Sequence, residues 1–371
     1  MVLIFILIIS LYFIMLIKFS NSIYYHNDID LKSDFYPDVS IIVSARNEQK
    51  NIKNLINSLL KQNYPINKFQ ILIANDRSTD NTKKILSEYE KQNINIRILN
   101  IEATPIGWSN KKWALSQLID LANSDIILQI DADCTAPPNW IKSMAGHFVD
   151  DKVGFVCGAS PLIHNDKLLN NLFEMESLIQ ESVNAGAILN AMVVSCTGRN
   201  IAFRKRYFKQ VEGYAGNEHI SSGDDDLLLQ KMAMETNCAI KYSINSMSVV
   251  ESYAPPKFAD FVNQRLRFGS KALLYYKLKT PFELKAVSIL IYLANIIFLI
   301  SIVSIFNFNI YSLLVPIAIK IIADFLISII FILKVKRNWS LKTFLILTAV
   351  HPIYVVLFGV LGPLIAVDWK K

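Results

Sequence analysis

Four long apolar stretches, nearly free of charged residues, lie at the two ends of this chain. Residues 2–17 carry no charge, and neither do residues 286–306 or 343–367. The fourth stretch, 309–333, is apolar apart from one lysine and one aspartate. Because a helix needs about 20 apolar residues to cross a bilayer, the pattern predicts one N-terminal anchor and three C-terminal transmembrane helices.

The composition agrees with a membrane protein. Hydrophobic residues make up 52% of the chain and charged residues only 19%, against about a quarter charged residues in soluble proteins. This excludes an ordinary soluble enzyme, and the apolar content excludes a disordered chain. We interpret the first stretch as an uncleaved anchor and not as a signal peptide, because no basic residue precedes it and no small-residue cleavage site follows it.

Lys320 and Asp324 interrupt the apolar stretch at 309–333. They lie four residues apart, so a helix would place them on one face, where they can pair. We interpret them as a charge pair buried against a neighbouring helix. The alternative is a polar element that faces a cavity or an acceptor path.

Basic residues flank the C-terminal helices and orient the chain. By the positive-inside rule, the middle region and the 334–342 loop are expected on the cytoplasmic side. The closing residues 368–371 carry two lysines and oppose this orientation, so a re-entrant last helix is the alternative. The net charge of +7 suits an anionic lipid surface and gives no reason to expect nucleic acid. The flanking basic residues are Lys277, Lys279, Lys285, Lys334, Lys336, Arg337 and Lys342.

The middle of the chain alternates predicted strands with predicted helices. This alternation predicts an α/β domain with a mostly parallel sheet and helices on both faces. In open α/β sheets the ligand lies beyond the carboxyl ends of the strands, where polar clusters occur here at 45–48, 76–80 and 131–133. We therefore expect a nucleotide site at that edge. Strands are predicted at 39–44, 69–74, 94–101 and 125–130, and helices at 52–60, 80–92 and 111–123.

Asp131 and Asp133 follow an apolar strand directly. A turn at the strand end can aim both carboxylates at one cation, and hard oxygen ligands suit Mg²⁺ or Mn²⁺ bridging a diphosphate. The alternative is an exposed turn that is rich in aspartate.

Asp224, Asp225 and Asp226 form the densest acidic point of the chain. Adjacent carboxylates repel one another, so one of them can titrate high, as a general base requires. The alternative is a helix cap, since acids favour a helix N-terminus. Both roles are compatible if Asp224 faces the site while Asp225 or Asp226 serves the helix.

The segment 264–268 combines an amide, two guanidinium groups and a ring just ahead of the membrane helices. Arginines in this setting can bind phosphate bidentately. The alternative is a basic interfacial helix that touches lipid headgroups.

The four cysteines have no C-x-x-C spacing and no histidine cluster beside them, which makes a zinc site improbable. We interpret the four cysteines as free thiols in a reducing cytoplasm. The cysteines are Cys134, Cys157, Cys196 and Cys238.

Taken in order, these motifs resemble the membrane-bound family 2 glycosyltransferases, which have a GT-A fold. The resemblance covers roughly residues 37–300. Three motifs depart from the family pattern in one residue each: Asn110 stands for the usual glycine of G-K-x-x-A-L, Gly223 stands for the glutamate of E-D-x-[DE]-L, and Phe268 stands for the tryptophan of Q-R-x-R-W. The matching segments are Val39–Glu48, Asn75–Thr82, Lys111–Leu115, Asp131–Asp133, Gly198–Arg204 with Gly213-Tyr214, Asp224–Leu227 and Gln264–Phe268.

The resemblance implies an inverting hexosyl- or N-acetylhexosaminyltransferase. It would move a sugar from a nucleotide-diphospho-sugar to a hydroxyl of a lipid-linked or glycan acceptor at the cytoplasmic membrane face. The implied general base is Asp224, with Asp225 beside it, and a divalent cation, Mg²⁺ or Mn²⁺, is implied at Asp133 and Asp131. Asn200 and Phe268 are implied on the acceptor side. Donor binding is implied for Glu48, Asp76, Lys111, Asp131, Gln264, Arg265 and Arg267.

Four segments are expected: an anchor at 1–18, a GT-A domain at 37–255, an amphipathic interface segment with the QRLRF motif at 256–285, and three transmembrane helices at 286–367. Expected partners are the donor, the acceptor, membrane lipids, and a second copy of the chain or an export protein. The alternatives are a non-catalytic scaffold of a polysaccharide export complex, a processive polysaccharide synthase, a membrane nucleotidyltransferase and a transporter. A nucleotidyltransferase is expected to have a glycine-rich loop after the first strand, but Ala45–Lys50 has no glycine.

Overall fold

The computed structural model of this protein describes residues 2–29, 34–255, 257–308 and 310–364. The end of the stretch predicted at 343–367, and the two closing lysines, lie outside these ranges. The strands are β1 (Val39–Ala45), β2 (Phe69–Asp76), β3 (Ile96–Ile101), β4 (Ile126–Gln129), β5 (Cys134–Thr135), β6 (Val153–Gly158), β7 (Leu162–Ile163), β8 (Ile201–Arg204), β9 (Ala239–Ser243) and β10 (Glu251–Tyr253). The helices are α1 (Val2–Tyr25), α2 (Ile52–Leu60), α3 (Thr82–Gln92), α4 (Asn110–Leu121), α5 (Trp140–Ala145), α6 (Lys167–Leu189), α7 (Lys205–Gln210), α8 (Asp226–Glu235), α9 (Phe258–Lys277), α10 (Phe282–Phe308), α11 (Leu314–Lys334) and α12 (Leu341–Leu361).

The chain divides into two compact units. The sheet unit comprises residues 27–161 and 195–253, and the helical unit comprises the described residues of 1–26, 162–194 and 254–371. The helical unit thus takes in α6, although the sequence suggested one domain over 37–255. The four segment boundaries expected above stay a prediction.

A mostly parallel, seven-stranded sheet forms the centre of the sheet unit, in the order β3-β2-β1-β4-β8-β6-β9. The neighbours β3, β2, β1 and β4 are all parallel, and β9 is parallel to β6. Only β8 runs antiparallel to both of its neighbours. The α/β fold with a mostly parallel sheet, expected from the sequence, is confirmed.

Burial of β-branched residues holds this sheet to its helices. The side chains of Ile41 and Val43 in β1 are fully buried, in one apolar cluster with Leu55 and Leu59 of α2. Leu55 and Leu59 are four residues apart and so share one face of the helix. At about 25 cal/mol per Å² of apolar surface, such contacts supply the main stabilisation of the strands whose ends carry the candidate site.

Four helices of the helical unit are long and apolar enough to cross a membrane, one near the N-terminus and three towards the C-terminus, as the sequence predicts. Some of these helices extend beyond the uncharged stretches that predicted them. The first runs on through Lys18, which is exposed, to Tyr25. The candidate spans are Val2–Tyr25, Phe282–Phe308, Tyr311–Lys334 and Leu341–Leu364.

Lys320 and Asp324 are paired, as the charge-pair interpretation has it. Lys320 Nζ lies 2.6 Å from Asp324 Oδ2, and the Tyr12 hydroxyl donates to Asp324 Oδ1 at 2.5 Å. The pair therefore joins α11 to the N-terminal helix α1.

The helix α6 packs directly against α1 within the helical unit. Asn190, at its C-terminal end, donates a hydrogen bond to Ser22 Oγ (3.0 Å). A Cβ atom on Gly186 would lie 2.4 Å from Phe19 Cβ, so only glycine allows this approach of the two helices.

Candidate active site

The carboxyl ends of β1, β2 and β4 lie at one edge of the sheet, because these strands are parallel neighbours. The register pairs Ala45 with Asn75 and Ile42 with Gln129. Each strand therefore delivers the polar turn that follows it to this edge. The three turns are those predicted from the sequence.

Hydrogen bonds join the turns after β1 and β2. Asn47 N–H donates to Ser78 Oγ (3.1 Å), and Thr79 N–H donates to Asn47 Oδ1 (2.8 Å). Glu48 N–H donates to Thr82 Oγ1 (2.8 Å). Glu48, predicted to bind the donor, thus lies at the sheet edge with its backbone tied to the second turn.

Asp76 ends β2 and is buried. Arg77 binds its carboxylate, with Nε and Nη2 lying 2.8 and 2.7 Å from Asp76 Oδ1. Both contacts use the same oxygen, so a contact of Asp76 with the nucleotide would use Oδ2. That contact stays a prediction.

Lys111 joins two of the predicted carboxylates. Its Nζ lies 2.9 Å from Asp131 Oδ1 and 2.9 Å from Asp224 Oδ2. Asp131 follows β4, and Asp224 directly precedes the cap of α8, so the ammonium connects residues far apart in the sequence. The structure thereby brings together one residue expected to serve the donor, one expected to hold the cation and the expected general base.

Gln129, the last residue of β4, is a site residue that the sequence analysis missed. Its side-chain amide is buried and donates to Asp224 Oδ2 (3.0 Å) and to the carbonyl of Gly198 (3.3 Å). The available signal was an amide within the apolar run 126–130. A buried amide in a central strand needs partners, and here Asp224 is one of them.

The three adjacent aspartates contact different partners. Asp225 caps α8, since its Oδ1 accepts from Asp226 N–H (2.7 Å) and its Oδ2 accepts from Gly198 N–H (2.6 Å). Asp226 Oδ1 accepts from Leu227 N–H (2.9 Å). Asp224 is the one that contacts Lys111. The side chain of Asp225, predicted beside the general base, is thus engaged by two backbone amides.

Asp133 is half-buried, and among the described residues only Cys134 Sγ donates to its carboxylate (3.6 Å). Within the same ranges no three histidine, cysteine or carboxylate side chains are grouped to hold a metal ion. Mg²⁺ is typically bound by one or two carboxylates together with substrate phosphates and water. The carboxylates of Asp131 and Asp133 fit that kind of site, in which the donor completes the coordination.

The enclosed cluster shifts the pKa values of two groups. Burial raises the pKa of the Asp131 carboxyl; Lys111 opposes this, while the carboxylates of Asp133 and Asp224 add to it. Burial alone would lower the pKa of Lys111, but the carboxylates of Asp131 and Asp224 outweigh it and hold the pKa well above its usual value. Lys111 therefore stays charged at neutral pH.

Asn200, predicted on the acceptor side, is fully buried. Its Nδ2 donates to the carbonyls of Ala159 (2.8 Å) and Ser248 (2.7 Å), and its Oδ1 accepts from Trp140 Nε1 (2.9 Å). Both donors are used, so the amide binds three segments of the sheet unit together. A contact of this side chain with the acceptor does not follow from its position.

The QRLRF motif lies on α9 and belongs to the helical unit. Arg265 is buried and paired with Glu176 of α6. The guanidinium of Arg267 lies 5.6 Å from the ring centre of Phe268, which is 41% exposed. Gln264 Oε1 is buried and accepts no hydrogen bond from any described residue. The donor and acceptor roles predicted for this motif stay predictions.

Residues 40–212 match the family model described as glycosyl transferase family 2. A beta-monoglucosyldiacylglycerol synthase from Nostoc sp. is 34% identical over 120 residues, which are 32% of this chain and 25% of that protein. A poly(ribitol-phosphate) beta-N-acetylglucosaminyltransferase from Staphylococcus aureus is 26% identical over 199 residues, 53% of this chain and 33% of that protein. The chain thus matches a quarter to a third of these relatives' length.

One solved structure is similar over nearly the whole chain. It is a mannosyltransferase from Pyrobaculum calidifontis in complex with GDP-Man and Mn²⁺. The TM-score is 0.58 at 15% identity, with 98% of this chain and 96% of that chain covered. At this identity the likeness is one of fold.

Proposed function

We propose that this chain, a glycosyltransferase that belongs to family 2 and has a GT-A fold, transfers a sugar from a nucleotide-diphospho-sugar to a hydroxyl of a lipid-linked or glycan acceptor. One observation carries the proposal: Lys111 Nζ contacts both Asp131, which follows β4, and Asp224, which precedes α8. A candidate cation-binding carboxylate, a fixed positive charge and a candidate base thus meet at the sheet edge where ligands bind in open α/β folds.

Asp131 and Asp133 would hold a divalent cation, Mg²⁺ or Mn²⁺, together with the donor diphosphate. When bound, such a cation stabilises the negative charge that develops on the leaving diphosphate. Lys111 adds a preorganised positive charge at the same place, and charges fixed where the transition state needs them are an effective source of rate enhancement. Glu48 and Asp76, at the ends of β1 and β2, would bind the nucleotide.

Asp224 would act as general base. Its Oδ2 accepts from Gln129 and contacts Lys111, which fixes the carboxylate and leaves Oδ1 to take the proton of the acceptor hydroxyl. The acceptor oxygen then forms its bond to the anomeric carbon while the bond from that carbon to the diphosphate oxygen breaks. Attack from the face opposite the leaving group inverts the anomeric centre, so no carboxylate nucleophile is required.

We place the reaction at the cytoplasmic membrane face and favour a lipid-linked acceptor with a single addition per turnover. The four candidate spans keep the chain at the bilayer, and the Nostoc relative is named as a glucosyldiacylglycerol synthase. The basic 334–342 loop supports the cytoplasmic orientation through the positive-inside rule.

The test is a donor and acceptor panel. The purified chain in lipid nanodiscs is incubated with labelled UDP- and GDP-sugars, Mg²⁺ or Mn²⁺, and either diacylglycerol or polyprenyl phosphate, with Asp224→Asn as the matched inactive control. We expect one donor to be consumed and the label to appear in the lipid fraction. Label in a high-molecular-weight polymer would instead indicate a processive synthase, and consumption of no donor would indicate a scaffold.

A further inference from the structure

Lys112, the neighbour of Lys111 on α4, is fully buried. Its Nζ donates to the backbone carbonyl of Asn217 (2.6 Å) and lies 3.2 Å from Asn217 Oδ1. It also lies 5.9 Å from the ring centre of Tyr214. A buried ammonium is costly unless hydrogen bonds compensate it, so these contacts identify what Lys112 holds.

Lys112 holds a segment without helix or strand, residues 213–222, which leads directly to Asp224. Within this segment Asn217 N–H donates to the carbonyl of Tyr214 (3.1 Å). The buried Tyr214 hydroxyl in turn donates to the backbone carbonyl of Asp224 (3.4 Å). A short chain of contacts therefore runs from the Lys112 ammonium to the backbone of the proposed base.

A second bond ties the same segment to the start of α4. Ser109 N–H donates to the carbonyl of Glu218 (2.7 Å). Ser109 precedes α4, so this bond and that of Lys112 attach residues 217–218 to the first turn of one helix. The same turn carries Lys111, which contacts the Asp224 carboxylate.

We propose that Lys112 is a positioning residue for the general base: by holding Asn217, it fixes segment 213–222 so that Asp224 stays within reach of Lys111 and Gln129. The proposal rests on the proposed function, since it gives Lys112 a part in the transfer step. Two consecutive lysines on α4 thus act differently. Lys111 contacts the carboxylates themselves, whereas Lys112 acts through the backbone that carries one of them and does not contact the substrate.

Lysine suits this position for a chemical reason. Its compact ammonium offers three donors on a flexible stem, which serves two oxygens of one asparagine. Methionine keeps a flexible stem of similar length and removes the charge and the donors. Glutamine keeps two donors without a charge, so it restores part of the contact to the Asn217 carbonyl.

The test compares Lys112→Met and Lys112→Gln with the wild-type chain and with Lys84→Met, an exposed lysine on α3, as the matched control. We expect Lys112→Met to lower kcat about 30- to 100-fold, the loss typical of a small misplacement of reacting groups. The donor KM and the affinity for the nucleoside diphosphate should stay within about twofold, because the donor contacts are intact. Lys112→Gln should recover part of kcat, and Lys84→Met should match the wild type.

Hydrogen exchange of residues 213–224 provides a readout that needs no turnover. Lys112→Met should speed exchange there and leave β1 and β2 unchanged, which also shows that the variant is folded. This measurement tests Lys112 even if the wild-type chain transfers no sugar, a result that would overturn the proposed function alone. A donor KM that rises as much as kcat falls, or wild-type kcat together with wild-type exchange, would overturn the positioning role. If Lys112→Met does not fold, the same readouts on Lys112→Gln decide.

Discussion

Arg265 Nη2 lies 2.5 Å from Glu176 Oε2, and both side chains are less than a tenth exposed. The other oxygen of Glu176 accepts from the Tyr354 hydroxyl (2.8 Å). The ring centres of Phe261 and Phe268 lie 4.9 and 5.7 Å from the guanidinium carbon. One arginine of the QRLRF motif thus has its charge neutralised within the helical unit, where it joins α9 to α6 and α12.

Arg265→Met should destabilise the helical unit by about 3–5 kcal/mol, because it leaves the buried carboxylate of Glu176 without its cation. The double variant Arg265→Met/Glu176→Met should recover most of this loss, since replacing both partners by apolar residues is often neutral. Thermal unfolding in detergent measures both effects. Donor KM in the double variant should stay within about twofold of wild type; a tenfold rise would show that Arg265 binds the donor, as the sequence motif predicts.

Asp224→Asn should lower the rate of transfer about 10²- to 10⁴-fold, the usual contribution of a general base. Binding of the nucleoside diphosphate, measured by calorimetry, should be unchanged, because the amide keeps the shape of the side chain. Asp225→Asn is the matched control. Asparagine caps a helix about as well as aspartate does, so this variant should keep α8 capped and leave most of the activity. Equal losses in the two variants would contradict the assignment of the base to Asp224.

Lys111→Met should raise the concentration of Mn²⁺ needed for half-maximal activity more at acid pH than at neutral pH. The pKa of Asp131 is already raised by burial, with Lys111 opposing the rise, so removing the ammonium raises it further. A carboxyl must lose its proton to hold a cation, and the proton then competes with Mn²⁺ at higher pH than in the wild type. Mn²⁺ titrations of activity between pH 5 and 8 measure this. The same half-maximal Mn²⁺ concentration for wild type and Lys111→Met at every pH would refute this prediction.

The thiols should react slowly in the folded chain. Burial raises the pKa of Cys134 and Cys196 well above the usual value, and raises that of the less buried Cys238. Since the thiolate is the reactive form, alkylation at pH 8 should be much slower than in denaturant, where thiols titrate near 8.5. Peptide mass spectrometry after timed iodoacetamide exposure gives the rates. Rapid labelling of Cys134 in the native chain would contradict its burial.

The strands and helices near the predicted nucleotide edge follow from local patterns. In β1 and α2 the apolar spacing alone marks the element, and the observed bounds differ from the prediction by at most one residue. The strand β3 begins two residues later than expected, at Ile96, because the apolar Ile94 lies fully exposed in a turn. No strand after residue 130 was predicted; β8, for example, has only four residues and pairs with β4 and β6, which are distant in the sequence.

The carboxylates of the site were predictable because aspartates after an apolar strand are chemically conspicuous. The residues that contact these carboxylates were harder to predict, because such contacts join residues that are far apart in the sequence. Gln129 reaches Asp224 across 95 residues, and Arg265 reaches Glu176 across 89. Likewise, nothing local distinguishes Asn200 as a buried amide with both donors used from an amide that faces a ligand.

The bond between Tyr12 and Asp324 has a consequence for biosynthesis, because 312 residues separate its partners. At 5–20 residues per second, a ribosome needs roughly 15 to 60 s to bridge that interval. During this time α1 can already pack against α6, but its tyrosine hydroxyl lacks the aspartate that later accepts from it. The bundle is thus completed by the helices that are made last, and a nascent chain cut short before α11 would hold its first helix without that polar contact.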